Sequence, residues 1–254
     1  MSERFHLLFL FLVVVPILVK TWINVNEKNY GLSYNACRGV FMRNDNILKR
    51  IWYVFNGIYV VTLVYSVFVN YTEDDMNGLF MCGVAVLTLV MVPLIFKMFR
   101  FKPVYEIYLI ATVFAYIASV WGSTLGGYGL LGFDKFLHFS SGFLMLTVAI
   151  MLYYLLSSHN EIRTKQEKRV FYVFINAVNM AIALCWEFFE YAMLIFFNND
   201  AINHYTQGVH DSMTDMLCAT IAGLLLTIWI MKSQSNFFMN TAQKFYELNV
   251  KKKP

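Results

Sequence analysis

The stretch GLFMCGVAVLTLVMVPLIF at residues 78–96 contains no Asp, Glu, Lys or Arg. Its length matches the roughly 20 apolar residues that a helix needs to cross the hydrocarbon core of a bilayer. Comparable apolar runs lie at residues 51–70, 104–121, 136–156, 170–196 and 215–232. Only 14% of all residues are charged, whereas soluble domains contain about 25%. The sequence therefore predicts an all-α fold, a polytopic bundle of transmembrane helices with six or seven spans.

The chain is expected to form one membrane domain with two flanking segments. Residues 1–50 hold an N-terminal apolar segment and a basic cytoplasmic loop, residues 51–232 the six-span bundle, and residues 233–254 a cytoplasmic tail. The first apolar run, at 5–19, is short and is interrupted by Pro16. It lacks the small-residue cleavage site of a signal peptide, so we do not expect it to be removed. We interpret it as a seventh span, with a helix lying in the membrane interface as the alternative.

The distribution of Lys and Arg indicates how the bundle is oriented, because basic loops stay in the cytoplasm. These residues concentrate at 20–50, at 97–103, at 157–169 and in the tail, and they are scarce at 71–77, 122–135 and 197–214. The alternation predicts a multi-pass protein of the cell membrane whose C-terminus is cytoplasmic. The tail combines aromatic residues with a Lys run, so we expect it either to lie on anionic lipid as an interfacial helix or to be solvated and frayed.

Ionisable residues occur in the last three predicted spans or directly before them, all at the extracytoplasmic end. Seven of them lie in the motifs DKFLHF, WEFFEY and VHDSMTD: Asp134, His138, Glu187, Glu190, His210, Asp211 and Asp215. A charge placed in hydrocarbon costs roughly 3 kcal/mol on insertion scales, so each needs a partner, a metal ion or a water-filled cavity. The predicted orientation puts all three motifs at one depth, and we therefore expect a single site that faces the extracytoplasmic side.

The spacing within each motif suits a metal centre. Members of a pair are three or four residues apart, which places both on one face of a helix. Carboxylates with imidazole suit a divalent ion such as Zn, Mn, Fe or Mg, and a bound ion would relieve the repulsion among close carboxylates. The predicted metal ligands are His138, Glu187, Glu190, Asp211 and Asp215. Catalytic proton transfer is assigned to Asp134 and His210, with Glu187 as a residue that could serve in either group.

The residues of the first motif also have structural explanations. Asp134 can cap the following helix, with Lys135 as a flanking charge at the membrane interface. His138 can form a hydrogen bond to a neighbouring helix. Ser140 and Ser141 could act as nucleophiles, although a serine in a membrane helix more often packs or bonds to its own helix.

The residues of the other two motifs differ in how well ordinary structural roles, such as helix capping, account for them. Asp211 and Asp215 can cap the last helix and favour its positive end. His210 lies in the predicted loop before that helix and can simply be exposed, and His204 in the same loop is a weaker candidate still. Two glutamates one turn apart inside an apolar span have no routine structural role, so the second motif is the firmest indication of a site.

A glycine-rich segment, GSTLGGYGLLGF at residues 122–133, directly precedes the first motif. It is not a nucleotide-binding fingerprint, because no strand precedes it and no GK[ST] follows. We expect a re-entrant or tightly turned segment over the site.

The three motifs together resemble the YjdF-type family of bacterial inner-membrane proteins. The resemblance rests on DKFLHF, on WEFFE in the next span and on HDSMTD followed by a small-residue stretch, and it covers roughly residues 78–232. More distantly, the pattern is similar to VanZ-like proteins, which are associated with tolerance of glycopeptide antibiotics. The nearer family has no established activity, so the resemblance implies the location of a site rather than its reaction.

Three functions are compatible with these residues. The first is a metal-dependent membrane hydrolase that acts on a lipid or lipid-linked substrate at the outer leaflet. The second is a proton- or cation-coupled transporter, and the third is a non-catalytic, envelope-associated protein whose buried acids hold helices together. Membrane lipid is the expected partner in each case. Nucleic-acid binding has no support, because the basic residues form short loops rather than the face of a domain.

Overall fold

The computed structural model describes residues 34–157, 160, 162, 164–201, 203, 205–233 and 236–251, with side chains described from residue 45 onward. The predicted seventh span at 5–19 and the candidate residue His204 lie outside the described residues. Within the described part, 85% of the structure is helical, with seven helices and no strand. The prediction of an all-α fold is confirmed.

Seven α-helices follow one another along the described chain. They are α1 (Tyr34–Thr72), α2 (Met76–Met98), α3 (Tyr105–Ala115), α4 (Phe133–Ser157), α5 (Lys165–Phe197), α6 (Val209–Lys232) and α7 (Phe237–Asn249). A π-helical segment, Tyr116–Thr124, continues α3. Six helices are long and apolar enough to cross a membrane, counting α3 with its π-helical continuation. The protein is therefore a multi-pass membrane protein, and the six predicted spans are confirmed.

The chain divides into two compact units at residue 50. The unit up to Arg50 contains the beginning of α1. The unit from Ile51 onward contains the rest of α1 and all the later helices, and the features below belong to it.

Local sequence signals explain where several helices begin and end. The side chain of Thr164 accepts a hydrogen bond from the backbone N–H of Glu167, and Glu167 bonds back to the N–H of Thr164, so α5 starts with a complete capping box. At its other end, Asn198 takes a left-handed conformation with φ +53°, which asparagine tolerates better than most residues. The carboxylate of Asp75 accepts from the N–H of Gly78 and caps α2 in the same manner.

The connections α1–α2, α3–α4 and α5–α6 gather at one end of the bundle, which we call the site end. There, Asn70 near the end of α1 donates to the backbone oxygen of Thr124 at 3.0 Å, and the rings of Phe80 and Phe197 lie 6.1 Å apart. The opposite end, which we call the tail end, joins α2 to α3, α4 to α5 and α6 to α7. All three ionisable motifs lie at the site end.

Close contact between α4 and α6 brings two of those motifs together. A Cβ atom at Gly142 would collide with the backbone oxygen of Ala219 and with the side chain of Ala222. The two helices can approach this closely because small residues line both surfaces, as in many membrane helix pairs. This approach sets the distance between the first turns of α4 and α6, from which the charged side chains extend.

The C-terminal helix α7 packs against the tail end of the bundle. Ala242 and Phe245 are buried, and Phe245 lies in edge contact with Phe96 and Phe101. The side-chain oxygen of Asn249 accepts from the N–H of Lys102 at 2.6 Å. The alternative of a solvated, frayed tail is therefore wrong, because this amphipathic helix buries its apolar face against protein. Contact of its outer face with anionic lipid stays a prediction.

Candidate functional site

The first two turns of α4 supply three ionisable side chains to the site. The helix begins at Phe133, so Asp134 is its second residue and not its N-cap. Instead of capping, the Asp134 carboxylate lies 3.5 Å from the imidazole Nε2 of His138, four residues later. The structural explanation of Asp134 as a capping residue is wrong, and the predicted pairing of Asp134 with His138 on one helix face is confirmed.

Lys135 lies at the centre of an aspartate cluster. Its ammonium group donates to Asp134 at 3.2 Å, to Asp215 at 2.8 Å and also to Asp211. An ammonium group has three hydrogens to donate, and all three are used here. The interpretation of Lys135 as a flanking interface charge is therefore wrong, since this side chain supplies the cation that three carboxylates share.

Two of these carboxylates come from the first turns of α6. Asp211 and Asp215 are each 1% exposed, and both contact Lys135, which confirms that they lie on one helix face. The second oxygen of Asp211 accepts from the side-chain amide of Asn203 at 2.7 Å. Neither residue is the N-cap, because Gly208 holds that position. We refer to Asp134, Lys135, Asp211 and Asp215 as the aspartate half of the site.

His210 belongs to α6 rather than to the loop before it, because the helix begins one residue earlier, at Val209. Its side chain is exposed, and its backbone oxygen accepts from the hydroxyl of Thr214. It is not among the groups of possible metal ligands found in the described part of the chain. The expectation that His210 lies in a loop is wrong. Its exposure agrees with the alternative that it is simply a surface residue.

The second half of the site joins α5 to α4. His138, Glu187 and Glu190 each offer a ligand atom within 4.8 Å of the others, and we call these three residues the glutamate half. Glu190 accepts a hydrogen bond from the indole N–H of Trp186 at 2.8 Å. The spacing of the two glutamates therefore places them on one face of α5, as predicted.

Glu187 is the least satisfied residue of the site. It is only 5% exposed, and within the described residues neither carboxylate oxygen makes a hydrogen bond of good geometry, although the Ser212 hydroxyl lies beside it. Burying a carboxylate without a partner is costly. Carboxylate and imidazole are ligand types that divalent ions accept, so the residues around Glu187 could hold a metal ion.

His138 connects the two halves. It forms one possible ligand group with Asp134 and Asp215 and a second with Glu187 and Glu190. The first group already holds the Lys135 ammonium close to both aspartates. The second group contains no cation other than the imidazole itself when protonated. Of the two groups of possible metal ligands, the glutamate half is therefore the one that no lysine contacts in the described residues.

The glycine-rich segment turns tightly beside the site, as predicted. Gly126 and Gly132 both have φ +76°, a left-handed conformation that glycine adopts without steric cost, and a single 3₁₀ turn, Gly127–Gly129, lies between them. The ring of Tyr128 in this turn packs edge-on against Phe133 at 5.3 Å. The turn thus lies directly next to the start of α4.

Tyr128 is a neighbour of the site that sequence reasoning missed. The residue as a whole is 44% exposed, yet its phenol group is desolvated by its surroundings. This desolvation, followed by the nearby carboxylates of Asp134, Glu190 and Asp215, raises the pKa of Tyr128. The chain contains 16 tyrosines, and nothing in the sequence distinguishes this one except its place in the glycine-rich segment.

The two serines after His138 do not contribute a nucleophile to the cluster. The hydroxyl of Ser141 donates to the backbone oxygen of His138 at 2.7 Å, which is the helix back-bonding expected of a membrane serine. Ser140 lines an apolar groove between α3 and α4, together with Phe114 and Leu144.

A family model described as "Predicted membrane protein (DUF2238)" matches residues 51–236. The chain belongs to this family. DUF2238 is the same family as the YjdF-type proteins that the motifs resemble, and the matched range contains every residue of both halves of the site. No curated protein and no solved structure matches the chain, and the resemblance to VanZ-like proteins is not shown by any comparison. DUF2238 membership thus agrees with the membrane fold and carries no reaction with it.

Proposed function

We propose that this protein is a metal-dependent membrane hydrolase that binds a divalent ion between His138, Glu187 and Glu190. The observation that carries the proposal is the pair of buried, unpartnered oxygens of Glu187. One imidazole and two carboxylates leave coordination positions open for water and substrate, as catalytic metal sites require. These ligand types fit Zn, Mn, Fe or Mg.

The charge balance of the site supports a bound cation. Five carboxylates meet there, and within the described residues their cationic partners are Lys135 and, when protonated, His138. Close carboxylates cannot all stay ionised without further positive charge. All three hydrogens of the Lys135 ammonium group bond to aspartates. A divalent ion in the glutamate half would therefore neutralise Glu187 and Glu190, which Lys135 does not contact.

The aspartate half would position the metal ligands. Asp134 and Asp215 lie 3.5 Å and 3.8 Å from the Nε2 atom of His138, and carboxylates beside a ligating imidazole fix its orientation and raise its basicity. Asp134 is the partly exposed member of this half, so it is the group that could accept a proton from water. Lys135 would hold the three aspartates in place. The exposed His210 has no role in this scheme.

A divalent ion held by His138, Glu187 and Glu190 would supply a water of lowered pKa as the nucleophile toward an ester. Asp134 would accept the proton of the attacking water and return it to the ester oxygen that leaves. We propose a lipid or lipid-linked substrate, since the site lies at the end of the spans, where headgroups meet the hydrocarbon. The scarcity of basic residues in the loops at this end supports its placement on the extracytoplasmic side.

Metal content provides the test of this proposal. Purified wild-type protein should retain a divalent ion, whereas Glu187→Gln/Glu190→Gln should lose at least about tenfold in affinity, because even residues that only support the ligands contribute that much. Inductively coupled plasma mass spectrometry and Mn²⁺ titration would measure both proteins. The control is Glu73→Gln, an exposed glutamate at the same end of the bundle. A wild-type protein that binds no divalent ion, or a double variant that binds it equally well, would contradict the proposal.

A different observation favours cation- or proton-coupled transport as a second candidate. Asn179 lies on α5, eight residues or about 12 Å from Glu187, and it is 1% exposed. Its amide donates to the backbone oxygen of Ala219 at 3.0 Å, but its Oδ1 atom has no partner among the described residues. One turn away, Asn176 bonds to Thr227 at 2.9 Å. These polar groups extend from the site into the middle of the bundle.

Proton flux distinguishes transport from hydrolysis. In liposomes, a proton transporter should acidify the liposome interior. The rate should fall at least tenfold in both Glu187→Gln and Asn179→Leu, because the proton path would need both groups. Of these two residues, a hydrolase should depend only on Glu187, and Asn179→Leu should leave its metal content unchanged. A pH-sensitive dye inside the liposomes reports the flux, and wild-type rates equal to those of empty liposomes would eliminate proton-coupled transport.

A further inference from the structure

An apolar groove runs between α3 and α4, with a volume of about 170 Å³. Ser140 is the one polar residue in its described lining, and the other lining residues include Ile110, Val113, Ile117, Phe136 and Leu144. Apolar space of this kind stays dry and takes up apolar molecules. The groove is therefore suited to a hydrocarbon ligand.

The groove and the charged cluster lie on different faces of α4. Ser140 follows His138 by two residues, and Phe136 follows Asp134 by two. Residues two apart do not face the same way on a helix. A molecule in the groove is therefore separate from the substrate of the proposed function, and the inference drawn from it does not depend on that function.

Contacts at both ends of the groove give it a closed, elongated outline. At the site end, the rings of Trp121 and Phe133 lie 4.8 Å apart, about one turn beyond the last lining residue on each side. At the tail end, Tyr108 and Leu146 belong to one buried apolar cluster. Helices α3 and α4 thus join above and below the groove and separate along it.

The shape of the groove matches that of a hydrocarbon chain. Its lining extends over residues 110–117 on one side and 136–144 on the other. At a rise of 1.5 Å per residue these stretches cover about 10 and 12 Å along the helix axes. The volume is close to the roughly 150 Å³ of an apolar cavity that binds benzene, so the groove holds a segment of one chain and has no room for a second.

The membrane supplies molecules of this shape. Both helices cross the bilayer, so the open side of the groove is continuous with the surface that the bundle presents to hydrocarbon. Phe136, which is 47% exposed, lies at the rim. An empty groove would leave its lining without dispersion contacts. Acyl chains of the bilayer run in the same direction as the spans and can fill it.

We propose that the groove between α3 and α4 binds one acyl chain of a membrane lipid, in the leaflet at the site end. The chain rather than the headgroup is recognised, because none of the described lining residues is charged. A lipid held in this way should remain bound when the protein is extracted in a mild detergent.

Native mass spectrometry of the full chain in dodecyl maltoside, titrated with dioleoyl phosphatidylglycerol, tests the proposal. Val113→Phe places a ring in the groove and should raise the Kd of the tightest-bound lipid about tenfold, the equivalent of about two lost methylene contacts. Ser140→Leu narrows the groove from the α4 side and should weaken binding in the same direction. The control, Val86→Phe, makes the same change at a position of α2 that is 49% exposed and should match the wild type. Circular dichroism verifies that each variant is folded.

Two further lipids, measured on the wild type, identify the part that is recognised. Dioleoyl phosphatidylethanolamine should bind as tightly as the phosphatidylglycerol, whereas dihexanoyl phosphatidylglycerol, with the same headgroup and short chains, should bind more weakly. Equal binding of the short-chain and long-chain lipids would overturn the proposal, as would wild-type affinity in both Val113→Phe and Ser140→Leu. A dimeric wild type that Val113→Phe converts to a monomer, with lipid binding unchanged, would assign the groove to a second copy of the chain and overturn it too.

Discussion

Replacing Lys135 with methionine should lower the free energy of unfolding by about 3–5 kcal/mol, the cost of removing one partner from a buried ion pair. The substitution leaves Asp211 and Asp215 without their cation, and both are 1% exposed. The ammonium group also holds Asp134, so three helix-borne carboxylates would repel one another at the start of α4 and α6. Denaturant unfolding in detergent micelles, followed by circular dichroism, would measure the loss.

Two further variants separate charge from packing in this experiment. Lys135→Met combined with Asp211→Asn and Asp215→Asn should recover most of the stability, because neither of the two buried aspartates is then left charged without a cation. Lys97→Met removes an exposed lysine from the last turn of α2 and should change the free energy of unfolding by less than about 0.5 kcal/mol. If Lys135→Met is as stable as Lys97→Met, Lys135 is not the cation that holds the aspartates.

Replacing Glu106 with glutamine should be comparably destabilising at the tail end, again by about 3–5 kcal/mol. Both carboxylate oxygens of Glu106 accept from the Lys244 ammonium, at 2.7 Å and 2.8 Å. The two side chains are only 8% and 4% exposed, so the substitution would remove a charged carboxylate from a buried ammonium group. Since Lys244 belongs to α7, we also expect this helix to separate from the bundle, which limited proteolysis of the tail would detect.

The matched control is Glu247→Gln, an exposed residue of the same helix α7. It should leave both the free energy of unfolding and the resistance of the tail to proteolysis unchanged. The double variant Glu106→Leu/Lys244→Met replaces the ion pair with apolar groups and should be near the wild type in stability, because it removes both buried charges together. A Glu106→Gln protein that behaves like Glu247→Gln would show that the pair does not hold α7 in place.

Much of the site could be predicted from spacing alone, because helical periodicity is a local property. Asp134 with His138, Glu187 with Glu190, and Asp211 with Asp215 each share a helix face, as their separations indicate. The partners of these pairs could not be predicted in the same way. Lys135 is adjacent to Asp134 in the chain but contacts aspartates 76 and 80 residues away. Its role depends on how closely α4 and α6 approach.

The cation among the acids likewise shows what the sequence predicts and what only the packing of the helices decides. The sequence indicates that five close carboxylates need positive charge, and a metal ion is one way to provide it. The tertiary structure assigns part of that task to Lys135 and leaves Glu187 without a comparable partner. Asp211, a predicted metal ligand, is instead bonded to Lys135 and Asn203, and the proposed ligand set is reduced to His138, Glu187 and Glu190.

The sequence by itself determined that this is a membrane bundle with six long apolar helices in its matched region and three ionisable motifs at the same end. Hydropathy and helical spacing are properties of consecutive residues, so they can be read without knowing the fold. Only the tertiary structure decided which charges meet. It places Lys135 among the aspartates, Glu106 against Lys244, and the turn that carries Tyr128 beside the site. These contacts depend on how helices that are distant in the chain pack together.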